Sequence, residues 1–470
     1  MSEHKLSRAS LHQVSASVKT PGYIPKPTAT GVVHLGLGAF HRAHQAMVFD
    51  QLLRQGDSRW GIHGVGMTQP GLVNKLRAQD GLYAVRIAGA AGVEWQVPGA
   101  LWQTSVATTE RHSVLNAIAA PSTRWITLTV TEKGYTPALA QLLIDGLRLR
   151  HAAGHAGLSI ASCDNLQGNG YKLQALIHAT ATAQDAALMQ WVDTHCAFPC
   201  SMVDRIVPAA TDEVAAAAKD ALGLIDDCAL STETFWEWVI EDKFVDPTDG
   251  ALLAQCGVRV TPDVHSYEEA KLRMLNGSHS AMALMGAITG RPYIASCIGA
   301  DHIREFVQRL MSHEVAPHLS RKDWADYRDA LIQRFGNPYL KHSVHQIATD
   351  SSQKIPQRWP PSVLGQMAKG QSFEHHALAA AIFLRYTLAI DEQGHTYTLN
   401  DPQAESLLAI GKTQVADAAG SLKALLSRSD LWGTELPYNT QWFERVAYWH
   451  DQVIHQGVDA TVKFAITLDV

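Results

Sequence analysis

The chain is poor in cysteine and in charge, and it lacks any long apolar run. Six cysteines are spread over 470 residues with no CxxC pair, which argues against both a disulfide framework and a structural zinc site. Only Cys196 and Cys200 are close in sequence, and buried free thiols are the expected state. Nowhere do about 18 apolar residues follow one another, so no membrane span is expected. The opening segment "MSEHKLSRASLHQVSASVKT" has no apolar centre of the kind a signal peptide needs. A cytoplasmic protein is expected. Charged residues make up only 18%, and 39 Lys and Arg stand against 45 Asp and Glu, for a net charge of -6. With no basic run interleaved with aromatics, nucleic acid is not an expected partner.

What is present is 46% apolar content in a chain long enough for two or three domains, hence a sizeable core. "GVVHLGLGAFHRAHQAMVFDQLL" passes from a short apolar run through glycines into a helical pattern, reading as strand, tight turn and helix. "WGIHGVGM", "RWITLTVTEKGY" and "GLSIASCDNLQGNG" repeat the format, alternating with helical stretches such as "PALAQLLIDGLRLRHAAG". This alternation predicts a parallel sheet with helices on its faces. From about Tyr267 helical periodicity takes over. The expected fold is α/β: a Rossmann-type parallel-sheet domain over 1–265 followed by a mostly α-helical domain over 266–470.

"GLGAFH", Gly36 to His41, fits the first two glycines of a dinucleotide fingerprint, with His41 where the third would stand. Gly36 allows the tight turn, Gly38 lets the backbone approach a pyrophosphate, and the helix start favours negative charge. The ribose-binding acid usual after the second strand is missing, because Thr68, Gln69 and Pro70 stand there. Thr68 or Gln69 suits a ribose hydroxyl and nothing evident suits a 2′-phosphate, so NAD is favoured, with NADP left open.

"YEEAKLRMLNGSHSAMALMG", Tyr267 to Gly286, raises a different question, since it places Glu268, Lys271, Asn276 and His279 on an apolar helix. At about 100° per residue, with Lys271 at zero, Glu268 falls near 60°, His279 near 80° and Asn276 near 140°, all on one face. Apolar neighbours such as Leu272 and Leu275 penalise a charged lysine, and a neutral lysine is a competent general base. A plainer alternative is an exposed Glu268–Lys271 pair with Asn276 and Gly277 ending the helix. Asn165 and Asn169 follow a strand, where ligands of open α/β sheets bind, although turn chemistry also favours Asn there.

"GLGAFHRAHQ", "TVTEKGY", "SCDNLQGNG", "MVDRIVP", "WVIEDKF" and "KLRMLNGSHS" occur in this order. Together they resemble the polyol-specific long-chain dehydrogenases, the group with mannitol 2-dehydrogenase and the fructuronate and tagaturonate reductases, from about Gly31 to Pro402. The resemblance implies a metal-independent NAD-dependent oxidoreductase with site residues drawn from both domains. It implies Lys271 as general base, Asn276 and Asn165 as holders of the alkoxide, His279 as an orienting group and Glu268 as a proton relay. Cofactor contacts are expected from Gly36, Leu37, Gly38, Ala39, Phe40, Thr68, Gln69, Thr131 and Asn165. Asp204, Gln346 and Lys354 are the expected substrate contacts.

The run "QIATDSSQKIPQR" resembles the hexuronate reductase branch more than the mannitol branch, in which an arginine is expected at Gln346. Lys354 and Arg358 are candidates for a sugar-acid carboxylate, with plain surface charge as the alternative. The segment after "TEKGY" is shorter than the usual form of that group. The expected partner is a small sugar acid or polyol, and a monomer or small homo-oligomer is expected. Two other readings compete. One is a zinc-dependent alcohol dehydrogenase, suggested by His41 and His44 three apart on a helix but lacking a Cys/His ligand set. The other is a nucleotide-binding sensor without catalysis.

Overall fold

A computed structural model describes residues 4–89 and 91–468. The chain divides into two compact units, Met1–Glu268 and Glu269–Val470. In the first, the strands among the described residues are β1 (Val32–Leu35), β2 (Ile62–Gly66), β3 (Val85–Gly89), β4 (Gly92–Gln96), β5 (Leu101–Val106), β6 (Trp125–Leu128), β7 (Ser159–Ser162), β8 (Ser201–Asp204), β9 (Leu230–Glu233), β10 (Glu237–Glu241) and β11 (Arg259–Thr261).

Five of these form the expected parallel sheet, in the order β5-β2-β1-β6-β7. Val32 aligns with Ile62 on one side and Trp125 on the other, and Trp125 with Ser159. Every residue of β1, β2, β6 and β7 is buried. That is why these strands read as continuous apolar runs rather than as alternating ones. The crossover from β6 to β7 is the helix Pro137–Ala152, started by Thr136, whose Oγ1 accepts the Leu139 N–H at 3.4 Å, and by a proline at its first turn.

The unit also holds two three-stranded sheets that the sequence reading did not foresee, β4-β3-β9 and β11-β10-β8. Their pairing mixes directions: β3 is antiparallel to β4 and parallel to β9, while β10 is antiparallel to β8 and parallel to β11. β4 and β11 are short and largely exposed, so they carry little apolar signal.

The second unit is mostly helical, as expected. Two helices form its centre. Gly277–Thr289 is buried from Gly277 through Ile288, and Glu374–Tyr386 is buried on nearly every side. A helix apolar all round belongs inside a core rather than on its surface. Gly286 permits the close packing: a Cβ there would lie 2.6 Å from Cys297 Sγ and 2.7 Å from Val344 Cγ1. Two stretches of π-helix interrupt the regular helices, Lys271–Asn276 and Leu310–Val315. Among the described residues no helix is long and apolar enough to cross a membrane.

Candidate active site

In the first unit the strand order reverses between β1 and β6. The chain builds β2 and β5 to one side of β1, then returns to place β6 and β7 on the other. The carboxyl ends of the strands flanking such a switch point form the ligand crevice of open α/β sheets. Here they carry the Gly36 turn and the turn Thr129–Thr131. Gly36 has φ +97°, and a Cβ on it would sit 2.2 Å from the Thr129 carbonyl oxygen. Only glycine fits. The Thr129 hydroxyl donates to Gly36 O at 2.9 Å, stitching the two turns together.

Gly38 differs, since a Cβ there would meet nothing closer than 3.7 Å. The space over this backbone is open to a ligand, as a pyrophosphate cradle requires. The helix that follows is broken at His44 (φ −123°, ψ −92°) into Ala39–Ala43 and Gln45–Arg54. Phe40 stacks on His44 with ring centroids 5.1 Å apart. At the place of the third glycine, the His41 ring lies flat on His34 of β1, centroids 3.3 Å apart. Close helix-to-strand packing, the usual task of that glycine, is achieved here by two stacked imidazoles. His34 in turn bonds Thr127 Oγ1 at 2.8 Å and Thr129 Oγ1 at 2.9 Å. His44 Nε2 lies 3.0 Å from Glu237 O. Both histidines of the zinc reading thus sit in structural contacts, and no described group of three His, Cys, Asp or Glu is arranged to hold a metal.

Thr68 and Gln69 are exposed just beyond β2, and Thr131 is exposed just beyond β6. Asn165 is exposed after β7, whereas Asn169 is fully buried. The Asn169 amide donates to Asp164 O at 3.0 Å and Ser201 O at 2.7 Å, so it ties the β7 turn to β8. Of the two asparagines weighed in the sequence, this one does turn chemistry. Asp204 ends β8, buried, opposite Glu237. Arg205 beside it donates to Glu233 O at 2.8 Å and braces the neighbouring sheet. Glu268 is also buried; its carboxylate accepts the Gly168 N–H at 3.1 Å and 3.2 Å, at the start of the helix Asn169–Thr180.

In the second unit Lys271, Asn276 and His279 are all buried, at 7%, 8% and 6% exposure, which removes the exposed ion-pair reading of Lys271. The ideal-helix angles of the sequence reading do not hold, because Lys271–Asn276 is π-helical. An i→i+5 ladder brings residues five apart onto one face, and Lys271 and Asn276 are five apart. The Gly277 N–H accordingly bonds back to Leu272 O. The helix does not end at Gly277 but continues to Thr289.

Arg358, on the helix Ser351–Arg358, stabilises this turn. Its Nη1 donates to the Asn276 carbonyl at 3.0 Å and to Ser280 Oγ at 2.7 Å, and the adjacent Trp359 Nε1 donates to Gly277 O at 3.1 Å. These bonds give Arg358 a structural role in this turn. Lys354, half-buried on the same helix, donates from Nζ to Ile347 O at 3.0 Å. Gln346 is exposed on the short helix Val344–Ala348.

Four buried polar atoms in this region have no hydrogen-bond partner among the described residues: Asn276 Nδ2, Ser278 Oγ, His279 Nε2 and His342 Nδ1. The His279 ring packs on Phe335 (4.5 Å) and stands at 88° to His342, centroids 5.3 Å apart. Burial, then the charges or dipoles of His342, Arg334, Arg358 and Lys271, hold His279 well below its ordinary pKa. His342 is lowered to about 4 by burial and then by Lys354. Both rings are neutral near pH 7. Each orphaned buried group costs about 1–3 kcal/mol, a cost that hydroxyls of a ligand would offset. His342 was missed in the sequence, where it stands in a loop with no spacing to mark it.

Comparison with known proteins places this geometry. Residues 30–249 match the family model for the mannitol dehydrogenase Rossmann domain and residues 263–454 that for the mannitol dehydrogenase C-terminal domain. The chain is 37% identical to D-mannonate oxidoreductase of Escherichia coli (strain K12), covering 94% of this chain and 96% of that protein. It is 36% identical to mannitol 2-dehydrogenase of Phaeosphaeria nodorum, over 86% of this chain and 77% of that one. The crystal structure of Pseudomonas fluorescens mannitol 2-dehydrogenase, a ternary complex with NAD and D-mannitol, superposes with a TM-score of 0.91 at 30% identity, covering 98% of this chain and 99% of that one. The switch-point turn, the lysine-bearing π turn and these likenesses lead to one conclusion: the chain is an oxidoreductase acting on CH–OH groups and belongs to the mannitol dehydrogenase family.

Proposed function

We propose that this enzyme interconverts a secondary alcohol and a ketone on a hexonate, as an NAD-dependent fructuronate or tagaturonate reductase does. One observation carries the reading: the buried π turn that places Lys271 and Asn276 on one face, beside two neutral histidines with unpaired ring nitrogens. NAD, when bound, accepts the hydride from the carbinol carbon, and NADH returns it. The backbone from Gly36 through Leu37, Gly38 and Ala39 to Phe40 would hold its pyrophosphate, with Thr68 and Gln69 toward the adenosine ribose and Thr131 and Asn165 toward the nicotinamide half. With no acid and no arginine after β2, NAD is preferred to NADP.

Lys271 takes the hydroxyl proton during oxidation and gives it back during reduction. Asn276 and Asn165 are the amides assigned to the oxygen as it becomes negative, a task for donors fixed in advance; Asn276 Nδ2 has no partner among the described residues. His279 orients the substrate oxygen, Glu268 relays the proton toward solvent, and Asp204 and Gln346 contact the sugar hydroxyls. Lys354 meets the carboxylate, which favours the acid over the polyol, and the 37% identity to D-mannonate oxidoreductase supports the same choice. Mannitol 2-dehydrogenase activity is the second reading, supported by the fold likeness to the Pseudomonas fluorescens enzyme.

The test is NADH oxidation with D-fructuronate, D-tagaturonate and D-fructose. Turnover of a keto-acid at least tenfold above fructose is expected; the reverse order would move the assignment to the polyol. NADH binding with no turnover of any ketose or keto-acid would instead favour a nucleotide-binding sensor.

A further inference from the structure

Thr131 has φ +64° and ψ 169°. This is a region that glycine occupies freely and a β-branched residue reaches at a cost of about 1–3 kcal/mol, so the surroundings must hold it there. What holds it is Asp164, in the turn after β7. One carboxylate oxygen accepts the Thr131 N–H at 2.7 Å. The other accepts the Val130 N–H at 3.3 Å and the Tyr135 hydroxyl at 3.2 Å. The same hydroxyl bonds Ser162 Oγ, which accepts the Asp164 N–H at 3.3 Å. Asp164 is 7% exposed, and its described hydrogen bonds come from two backbone N–H groups and a phenol hydroxyl.

We infer that Asp164 is a positioning residue for the dinucleotide: its ionised carboxylate clamps the β6 turn in the strained form that presents Thr131 at the switch point, and protonation releases it. The inference rests on the NAD reading above. The clamp belongs to the cofactor site because Thr129, two residues before Thr131, bonds the Gly36 turn directly. A strained residue at a strand end beside a ligand crevice is where such strain has a use. Burial first, and then the negative Glu132, push the Asp164 carboxyl up to about 7, against the pull of the Thr131, Val130 and Tyr135 bonds. The other titratable groups facing it are Tyr135 and Cys163, both neutral at that pH because burial raises them. The clamp therefore opens as pH falls through about 7.

The experiment is NADH binding, read as Kd by fluorescence between pH 6 and 9, for the wild type, Asp164→Asn, Thr131→Gly and the double variant. Wild-type Kd should rise severalfold from pH 8.5 to 6. Asp164→Asn should bind about tenfold more weakly, as loss of a charge-assisted bond does, with a flat profile. Thr131→Gly needs no clamp, so its profile should also be flat, and in the double variant it should restore most of the affinity lost in Asp164→Asn. A wild-type profile that is flat, or a double variant as weak as Asp164→Asn, would overturn the inference. If Asp164→Asn does not fold, the flattening in Thr131→Gly alone decides. Absence of NADH binding by the wild type would be a failure of the cofactor reading instead.

Discussion

Two π turns stand in the helical unit among the described residues, and they differ in how their buried polar groups are paired. At Leu310–Val315 the carboxylate of Glu314 is saturated. It accepts the backbone N–H groups of His375 at 2.7 Å and His376 at 2.9 Å and faces both Nδ1 atoms at 2.7 Å and 2.6 Å, at the first turn of the central helix Glu374–Tyr386. Among the described residues of that cluster, His375 Nε2 alone is without a partner. At Lys271–Asn276 the neighbourhood leaves Asn276 Nδ2, Ser278 Oγ, His279 Nε2 and His342 Nδ1 without a partner among the described residues. The lesson is that an irregular turn alone does not mark a site. What separates the two turns is how many buried polar atoms beside each are left without a partner.

Mutation of each turn should sharpen the contrast. Lys271→Ala should lower kcat by about 10³-fold, within the range of general acid–base catalysis, with NADH Kd unchanged; full activity in that variant would remove the base assigned here. Asn276→Ala should cost about 10²-fold in kcat with little change in melting temperature, the pattern of a lost donor to a developing oxyanion. Glu314→Gln should do the reverse, losing about 3 kcal/mol of stability in chemical denaturation while kcat per folded molecule stays the same. A fall in kcat with unchanged stability there would erase the distinction between the turns.

The same contrast has a pH form. Glu314 lies in full burial, which raises a carboxyl, yet the charge of His375 and the bonds from both histidines hold it down at about 2, below its ordinary 4.5. A depressed carboxyl contributes stability that is present above its unfolded value and is lost as pH falls through the folded one. Melting temperature should therefore drop between pH about 4.5 and about 2, and less so in Glu314→Gln. The smallest effect is expected from His342→Phe. Removing an orphaned nitrogen should leave stability within about 1 kcal/mol and raise KM for the ketone severalfold. An unchanged KM would take His342 out of the site.

Much of this was legible in the residues. Four strand runs of the parallel sheet, the glycine turn and the helical second half follow from apolar periodicity, because buried parallel strands and amphipathic or buried helices leave distinct patterns in sequence. The polar residues of "KLRMLNGSHS" stood out because ionisable groups in an apolar helix are costly. The two small sheets were not legible, since β4 and β11 are too short and exposed to leave a pattern. Arg358 was a candidate carboxylate binder because its run resembles the hexuronate reductase branch; its bonds to Asn276 O and Ser280 Oγ, residues about eighty positions away, were not legible there.

By itself, then, the sequence determined the order of the two units, the switch-point glycines and the placing of Lys271, Asn276 and His279 in one apolar run, all of which depend on local pattern and residue chemistry. Only the tertiary structure decided the rest. A π turn changes the phase of a helix without changing its composition, so the angles between Lys271 and its neighbours were not legible. The positive φ of Thr131 and the carboxylate that holds it, the stacking of His41 on His34, and the approach of His342 to His279 are contacts across long separations in the chain. Such contacts exist only once burial has brought the segments together, and the cost or benefit of each polar group is fixed by that burial.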